Sequence, residues 1–188
     1  VKQSSLEVTL ANLLGRIVVR DESALFELQR VFAGRICDFV LNRIHDQGEA
    51  EEVVSDTLYA VWGNAHRFRG DAKPSVWILG IAKNKGLMRL RARPPAAEDI
   101  DEMDDVLVDS SPNGFDDAVM RQSRKHVGGC LDTLSDEQRE CVTLVFYEGY
   151  SLAEIAEIQD CPENTVKTRL FHARKKLKGC LQKFKDML

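Results

Sequence analysis

A chain of 188 residues with 44% apolar side chains can hold one domain or two small ones around a packed core. Its formal charge of −4 excludes a molecule that is basic throughout, so any polyanion would have to be met by a local surface. No apolar run approaches the roughly 18 residues that span a bilayer, and no secretory pattern opens the sequence. Five scattered cysteines without C-x-x-C spacing (Cys37, Cys130, Cys141, Cys161, Cys180) then lead us to expect reduced thiols in a cytoplasmic protein. The charge is unevenly spread. Residues 1–95 carry +3, residues 96–127 carry −6 and residues 128–188 carry −1. An acidic middle thus separates two parts with local basic surfaces.

No stretch alternates as a strand does, and helical periodicity dominates. From about Leu6 to Val19, Leu6, Leu10, Leu13, Leu14 and Ile17 form one apolar stripe. Asp21 is the expected N-cap of a second helix, with Leu28, Phe32, Ile36, Val40 and Ile44 among its apolar positions. Gly48 is expected to interrupt it. A third helix then opens at Glu49 and carries Val53, Val54, Leu58, Val61 and Trp62. After the polar segment 64–74, a fourth helix is predicted from about Ser75 to Arg93, with Lys83, Lys85, Arg89, Arg91 and Arg93 on its outer side. Pro94-Pro95 ends that unit. The acidic, aromatic-poor stretch 96–114 reads as a flexible linker, and a second helical unit starts near Phe115. In that unit Ser135 and Gln138 form a capping box, and Gly149 is expected to end the helix that follows.

The most informative stretch runs from Ser151 to Leu177. Ser151 and Glu154 form another capping box, and Asp160-Cys161-Pro162 breaks the short helix that follows. In the next helix Val166, Leu170, Ala173 and Leu177 recur at the spacing of a buried face. Lys167, Thr168, Arg169, Phe171, His172, Arg174 and Lys175 then point outward. This is the pattern of a helix-turn-helix whose second helix enters the DNA major groove. A plain helical hairpin with a solvated basic face fits the same letters.

Nothing supports catalysis. The four histidines (His45, His66, His126, His172) fall in different predicted elements, and neither an H-x-x-x-H pair nor a phosphate-cradling glycine loop is present. Between Trp62 and Arg93, aromatic and basic residues are interleaved, as on surfaces that stack unpaired bases while tracking phosphates. Trp62 and Trp77 lie on apolar stripes and read as core. Arg67, Phe68 and Arg69 are the better contact candidates. The first part could thus hold single-stranded nucleic acid and the last a duplex, and a stand-alone regulator binding an operator through its helix-turn-helix stays open.

Together the two halves resemble bacterial RNA polymerase sigma factors of the extracytoplasmic-function (ECF, group IV) subfamily. EAEEVVSDTLYAVW (Glu49–Trp62) is similar to their region 2.2, and FRGDAKPSVWILGIAKNKGLMRLRAR (Phe68–Arg93) to the end of region 2.3 and region 2.4. LSDEQRECVTLVFYEGYSLAEIAEIQDCPENTVKTRLFHARKKL resembles region 4. The resemblance implies an all-α fold of two small helical domains. Residues 1–93 would bind core polymerase and melt the −10 element, 94–114 would be the acidic linker, and 115–188 would read the −35 element.

By matching positions, Lys167, Thr168, Phe171 and His172 would approach −35 bases, with Arg169, Arg174 and Lys175 near phosphates. Phe68, Arg69, Lys83 and Asn84 would serve the −10 element. Glu52, Val53 and Asp56 would meet the polymerase clamp helices, while region 4 meets the flap. The resemblance implies no cofactor, metal or small-molecule substrate. It does imply an anti-sigma factor, often membrane-bound. Asn164 stands where the family commonly has Gly, His172 where a basic residue is common, and Gly80 and Gly86 interrupt the region 2.4 helix.

Overall fold

A computed structural model describes residues 2–93 and 126–185. The expected linker, and the expected start of the second unit near Phe115, lie outside the described residues. Among those described, every regular element is helical.

The first domain is built from α1 (Lys2–Val18), α2 (Glu22–Ile44), α3 (Gln47–Asn64), a 3-10 turn (Ala65–Arg67) and α4 (Pro74–Ala92). Leu10, Leu13, Leu14 and Ile17 of α1 are buried, so the predicted stripe is the packing face. Asp21 caps α2 as expected, accepting from the Ser23 amide at 3.0 Å. The break before α3 differs from the expectation. His45 takes the left-handed conformation (φ 54) and Asp46, not Gly48, caps α3, accepting from the Glu49 amide at 2.7 Å. Gly48 therefore lies in the first turn, where an Asp cap three residues before Glu49 outweighs a glycine's poor helix propensity.

Helix α4 begins at Pro74, a position whose missing amide costs the helix nothing. Its N-cap residue, Lys73, cannot accept a hydrogen bond from the first turn. Glu7 of α1 does so instead, taking bonds from the Ser75 amide at 3.2 Å and the Ser75 hydroxyl at 2.5 Å. Trp62 and Trp77 are half-buried against the core, as the apolar stripes suggested. Arg20 covers the outer face of Trp62, its guanidinium carbon 5.2 Å from the ring centroid. Gly86 is buried, and a methyl there would meet Ile44 and Val40 at ordinary contact distance; nothing in the structure explains Gly80.

The second domain comprises residues 126–132 (α5), α6 (Asp136–Phe146), α7 (Leu152–Ile158) and α8 (Glu163–Lys185). Both predicted capping boxes form, at Ser135/Gln138 and Ser151/Glu154. Helix α6 ends at Phe146, ahead of Gly149, whose positive φ of 71 turns the chain back so that the Tyr150 amide reaches the Leu144 carbonyl at 2.9 Å. The expectation of five reduced thiols is corrected here. Cys130 and Cys180 form a disulfide that ties α5 to the far part of α8. Cys37, Cys141 and Cys161 are free thiols, Cys141 being buried.

The two domains are packed on each other, with α4 against α7 and α2 against α6. Phe39 and Leu79 on one side and Leu144 and Tyr150 on the other line the apolar part of the seam. Around it, Arg43 pairs with Glu140 at 2.6 Å and Glu137 at 3.6 Å, Arg35 with Glu148 at 3.2 Å, and Lys73 with Glu154 at 2.6 Å.

Candidate nucleic-acid interface

The reading helix α8 is positioned by its buried side. Val166, Leu170 and Ala173 are buried, which places Lys167, Thr168, Phe171, His172, Arg174 and Lys175 outward, all exposed. Phe171 is 65% exposed, far more than an aromatic ring on a packed helix needs. It meets His172 edge-on at 5.5 Å. Lys167 pairs with Glu163 one turn back at 2.8 Å, and Thr168 bonds the Asn164 carbonyl. Arg174 lies over the Phe146 ring.

Between α7 and α8 the chain turns at Asp160, in the left-handed region at φ 47 as its residue type allowed. Pro162 immediately precedes α8 and its carbonyl accepts from the Thr165 amide at 2.8 Å. Arg169 departs from the outward set. Half-buried, it donates to the Gln159 side-chain oxygen at 2.7 Å and lies 3.5 Å from the Cys161 sulfur. Gln159 in turn is buried, accepts from the Cys141 thiol at 3.2 Å and donates to the Glu137 carbonyl. Burial pushes the Cys141 thiol up to about 11, so it stays protonated and serves as a donor. Arg169 thus locks the angle between α7 and α8 and so positions the reading face.

The expected −10 residues gather around the start and middle of α4. Phe68 packs its ring on Trp77, with centroids 5.5 Å apart. Arg69 is exposed, beside Gly70 at φ 81. Asn84 is exposed two turns after Trp77, on the same side of the helix. Lys83 is not free: its ammonium donates to the Gln159 backbone carbonyl of the second domain at 2.5 Å. Arg89 and Arg93, read as an exposed basic side, are paired with Glu52 and Glu49 of α3 at 2.5 and 2.7 Å.

Of the expected polymerase contacts, Glu52 and Asp56 are exposed on α3. Val53 is corrected: at 2% exposure it is a core residue and cannot reach a partner from this position. Periodicity could have caught this, because Val53 and Val54 open the same apolar stripe as Leu58 and Val61.

Comparison with known proteins fits this arrangement. The description "Sigma-70 region 2" matches residues 29–94 and "Sigma-70, region 4" matches residues 126–177, together more than half of the chain, in chain order. The chain belongs to the sigma-70 family, in its ECF branch. Similar proteins are the ECF RNA polymerase sigma factors SigK of Mycolicibacterium vanbaalenii and of Mycobacterium tuberculosis. The first is 29% identical over 171 residues, covering 90% of this chain and 87% of that one. The second is 28% identical over 186 residues, covering 94% and 95%. Two solved structures share the fold. CnrH in complex with the cytosolic domain of CnrY has a TM-score of 0.61 at 20% identity, covering 94% of this chain and 96% of that one. RpoE in complex with the anti-sigma factor NepR from Bartonella quintana has a TM-score of 0.62 at 24% identity, covering 83% and 95%. Membership of a sigma family makes the chain a transcription initiation factor and not an enzyme.

Proposed function

We propose that this chain is a dissociable subunit that binds core RNA polymerase and directs it to a particular class of promoters. The observation that carries this is the pairing, in order, of a region 2 domain with a region 4 domain whose reading helix leaves Lys167, Thr168, Phe171 and His172 exposed. In this reading α8 enters the major groove at the −35 element, the docking mode of helix-turn-helix proteins. Arg174 and Lys175 flank the groove at phosphates, and Arg169 acts through the turn. The first domain opens the −10 element, with Asn84 and the Phe68–Arg69 loop at a flipped base and Lys83 beside them. Stacking contributes ~1–3 kcal/mol per base, which offsets the unstacking cost. Glu52 and Asp56 meet the clamp helices, and the second domain meets the flap. The assigned boundaries are 1–93, 94–114 and 115–188.

The protein acts in the cytoplasm, and among the described residues no helix is long and apolar enough to cross a membrane. An anti-sigma factor controls it, a reading supported by the anti-sigma factor NepR bound to the Bartonella quintana protein, and when membrane-bound holds it at the inner membrane face. The deciding experiment is run-off transcription with core polymerase on a library of promoters. A specific transcript that depends on the added chain is expected. An operator footprint without polymerase, and no transcript with it, would instead identify a stand-alone regulator.

A further inference from the structure

Helix α8 is held on its bed by an arginine on each side of its buried stripe. Val166, Leu170 and Ala173 form that stripe, and the helical repeat puts Arg169 and Arg174 on opposite flanks of it. The two are held in different ways. Arg169 commits its donors to Gln159 and lies against the Cys161 sulfur. Arg174 is exposed, and its guanidinium carbon lies 5.9 Å from the centroid of the Phe146 ring. Among the described residues no carboxylate pairs with it and no carbonyl takes a hydrogen bond from it. A ring face attracts a cation through its quadrupole, and that contact takes up neither the guanidinium's N–H donors nor its charge. Arg174 is thus held without being neutralised. Lys167, on the same flank, is the contrast, because Glu163 compensates its charge at 2.8 Å.

Phe146 is placed for this role. It is the last residue of α6, whose buried side is supplied by Cys141, Val142 and Leu144, while Phe146 itself is 62% exposed. The core therefore gains little from its ring. It also stands at the negative end of the α6 dipole, which favours a cation beside it. Lys167, Phe171 and Arg174 follow one another at helical spacing along a single flank of α8, so the ring props the guanidinium at the edge of the reading face.

We propose that Phe146 is a positioning residue for duplex binding: its ring presents the uncommitted Arg174 guanidinium to a backbone phosphate beside the groove. This rests on the duplex-reading role of α8. An arginine loose in solvent loses rotamer freedom when it meets a phosphate, and one already laid on a ring has lost part of it beforehand. The phosphate takes the N–H edge of the guanidinium while the ring keeps its face, so both contacts hold at once.

The test uses the full chain and a short labelled duplex of mixed sequence, because a phosphate contact carries no sequence information. Fluorescence anisotropy over a series of salt concentrations reads the affinity, and circular dichroism reports the fold. Phe146→Leu, which keeps an apolar side chain at an exposed site, is expected to bind several-fold more weakly than wild type. Arg174→Ala is expected to lower the salt slope by about one, and Phe146→Leu to lower it by part of that. Combining the two changes is expected to be no worse than Arg174→Ala alone, and Phe146→Tyr, which restores the ring, to bind as wild type does. A Phe146→Leu chain that binds like wild type while Arg174→Ala is weakened would overturn the positioning role and leave the duplex reading of α8 standing. Equal weakening by Phe146→Leu with Arg174 intact or replaced would mean that the ring acts on DNA or on the fold directly, and would overturn it too. An Arg174→Ala chain that matches wild type in affinity and salt slope would remove the phosphate contact itself, and so fault the duplex reading of this flank of α8.

Discussion

Helices α4 and α8 are both basic and both assigned to DNA, yet they hold their cations differently. On α8, Arg174 and Lys175 and the base-reading positions face outward and are exposed. On α4, Lys83 is bound to the second domain and Arg89 and Arg93 to glutamates of α3. Two helices of similar composition therefore differ in degree: α8 frees Lys167 by giving up one pair within its own first turn, whereas α4 must release one contact to the second domain and two to α3. Periodicity tells which side of a helix is buried, but it cannot tell whether an outward cation already has an anion.

Five experiments would break or sharpen this contrast. The largest effect concerns what holds α8 in place. Reducing the Cys130–Cys180 bridge, or Cys130→Ser, should lower the stability of the second domain by up to about 4 kcal/mol, as expected for a closed loop of this length. Thermal melts with and without reductant should show the shift in the second domain's transition alone. Next, Arg169→Ala removes a charge-assisted bond to buried Gln159 and should cost about 1.5–3 kcal/mol of stability. A loss of −35 affinity without any loss of stability would return Arg169 to the phosphate contacts.

Base reading comes third. Phe171→Ala or Lys167→Ala should weaken −35 binding by ~1–3 kcal/mol with core polymerase affinity unchanged, and Asn84→Ala should relax one −10 position by a similar amount. Equal loss of core binding would make α8 a structural helix only. Fourth, Gly80→Ala places a methyl where nothing lies within 4 Å, so stability should rise by about 1 kcal/mol. If DNA or polymerase binding falls at the same time, a partner approaches α4 closely there.

The smallest effect is in acid. Burial pushes the Glu154 carboxyl up, but hydrogen bonds from Lys73 and Ser151 outweigh it and hold the group below the ordinary carboxylate range. Glu137 is held below it too: burial raises it, but its own backbone amide and Arg43 outweigh that and lower it. Groups with lowered values stabilise the closed form above that range, and the contribution is lost as pH falls through their lowered values. Scattering should therefore show expansion only once pH falls below the ordinary carboxylate range, before helicity is lost, with the α8 reading face unaffected.

The hairpin around Asp160 was legible because its signals are local. A capping box, a residue that tolerates a left-handed turn and a 3.6-residue period all lie within one short window. The start of α3 was misplaced because Gly48 looks like a breaker, whereas the Asp46 side chain decides where the helix begins. The Cys130–Cys180 pairing was hidden since partners 50 residues apart carry no spacing rule, and an odd number of cysteines in a cytoplasmic setting argued for free thiols. The seam was hidden for a related reason: Arg43 and Glu140 each look like ordinary solvated charges until the fold brings them together.

The bridge has one further consequence. Helix α8 is a rod of 23 residues, about 34 Å long, pinned near one end by Arg169 and toward the other by Cys180. A rod clamped at two points can neither roll nor swing on its bed. Its side chains must therefore present themselves to the groove as one rigid template, and any mismatch in spacing between the two promoter elements has to be taken up elsewhere in the chain.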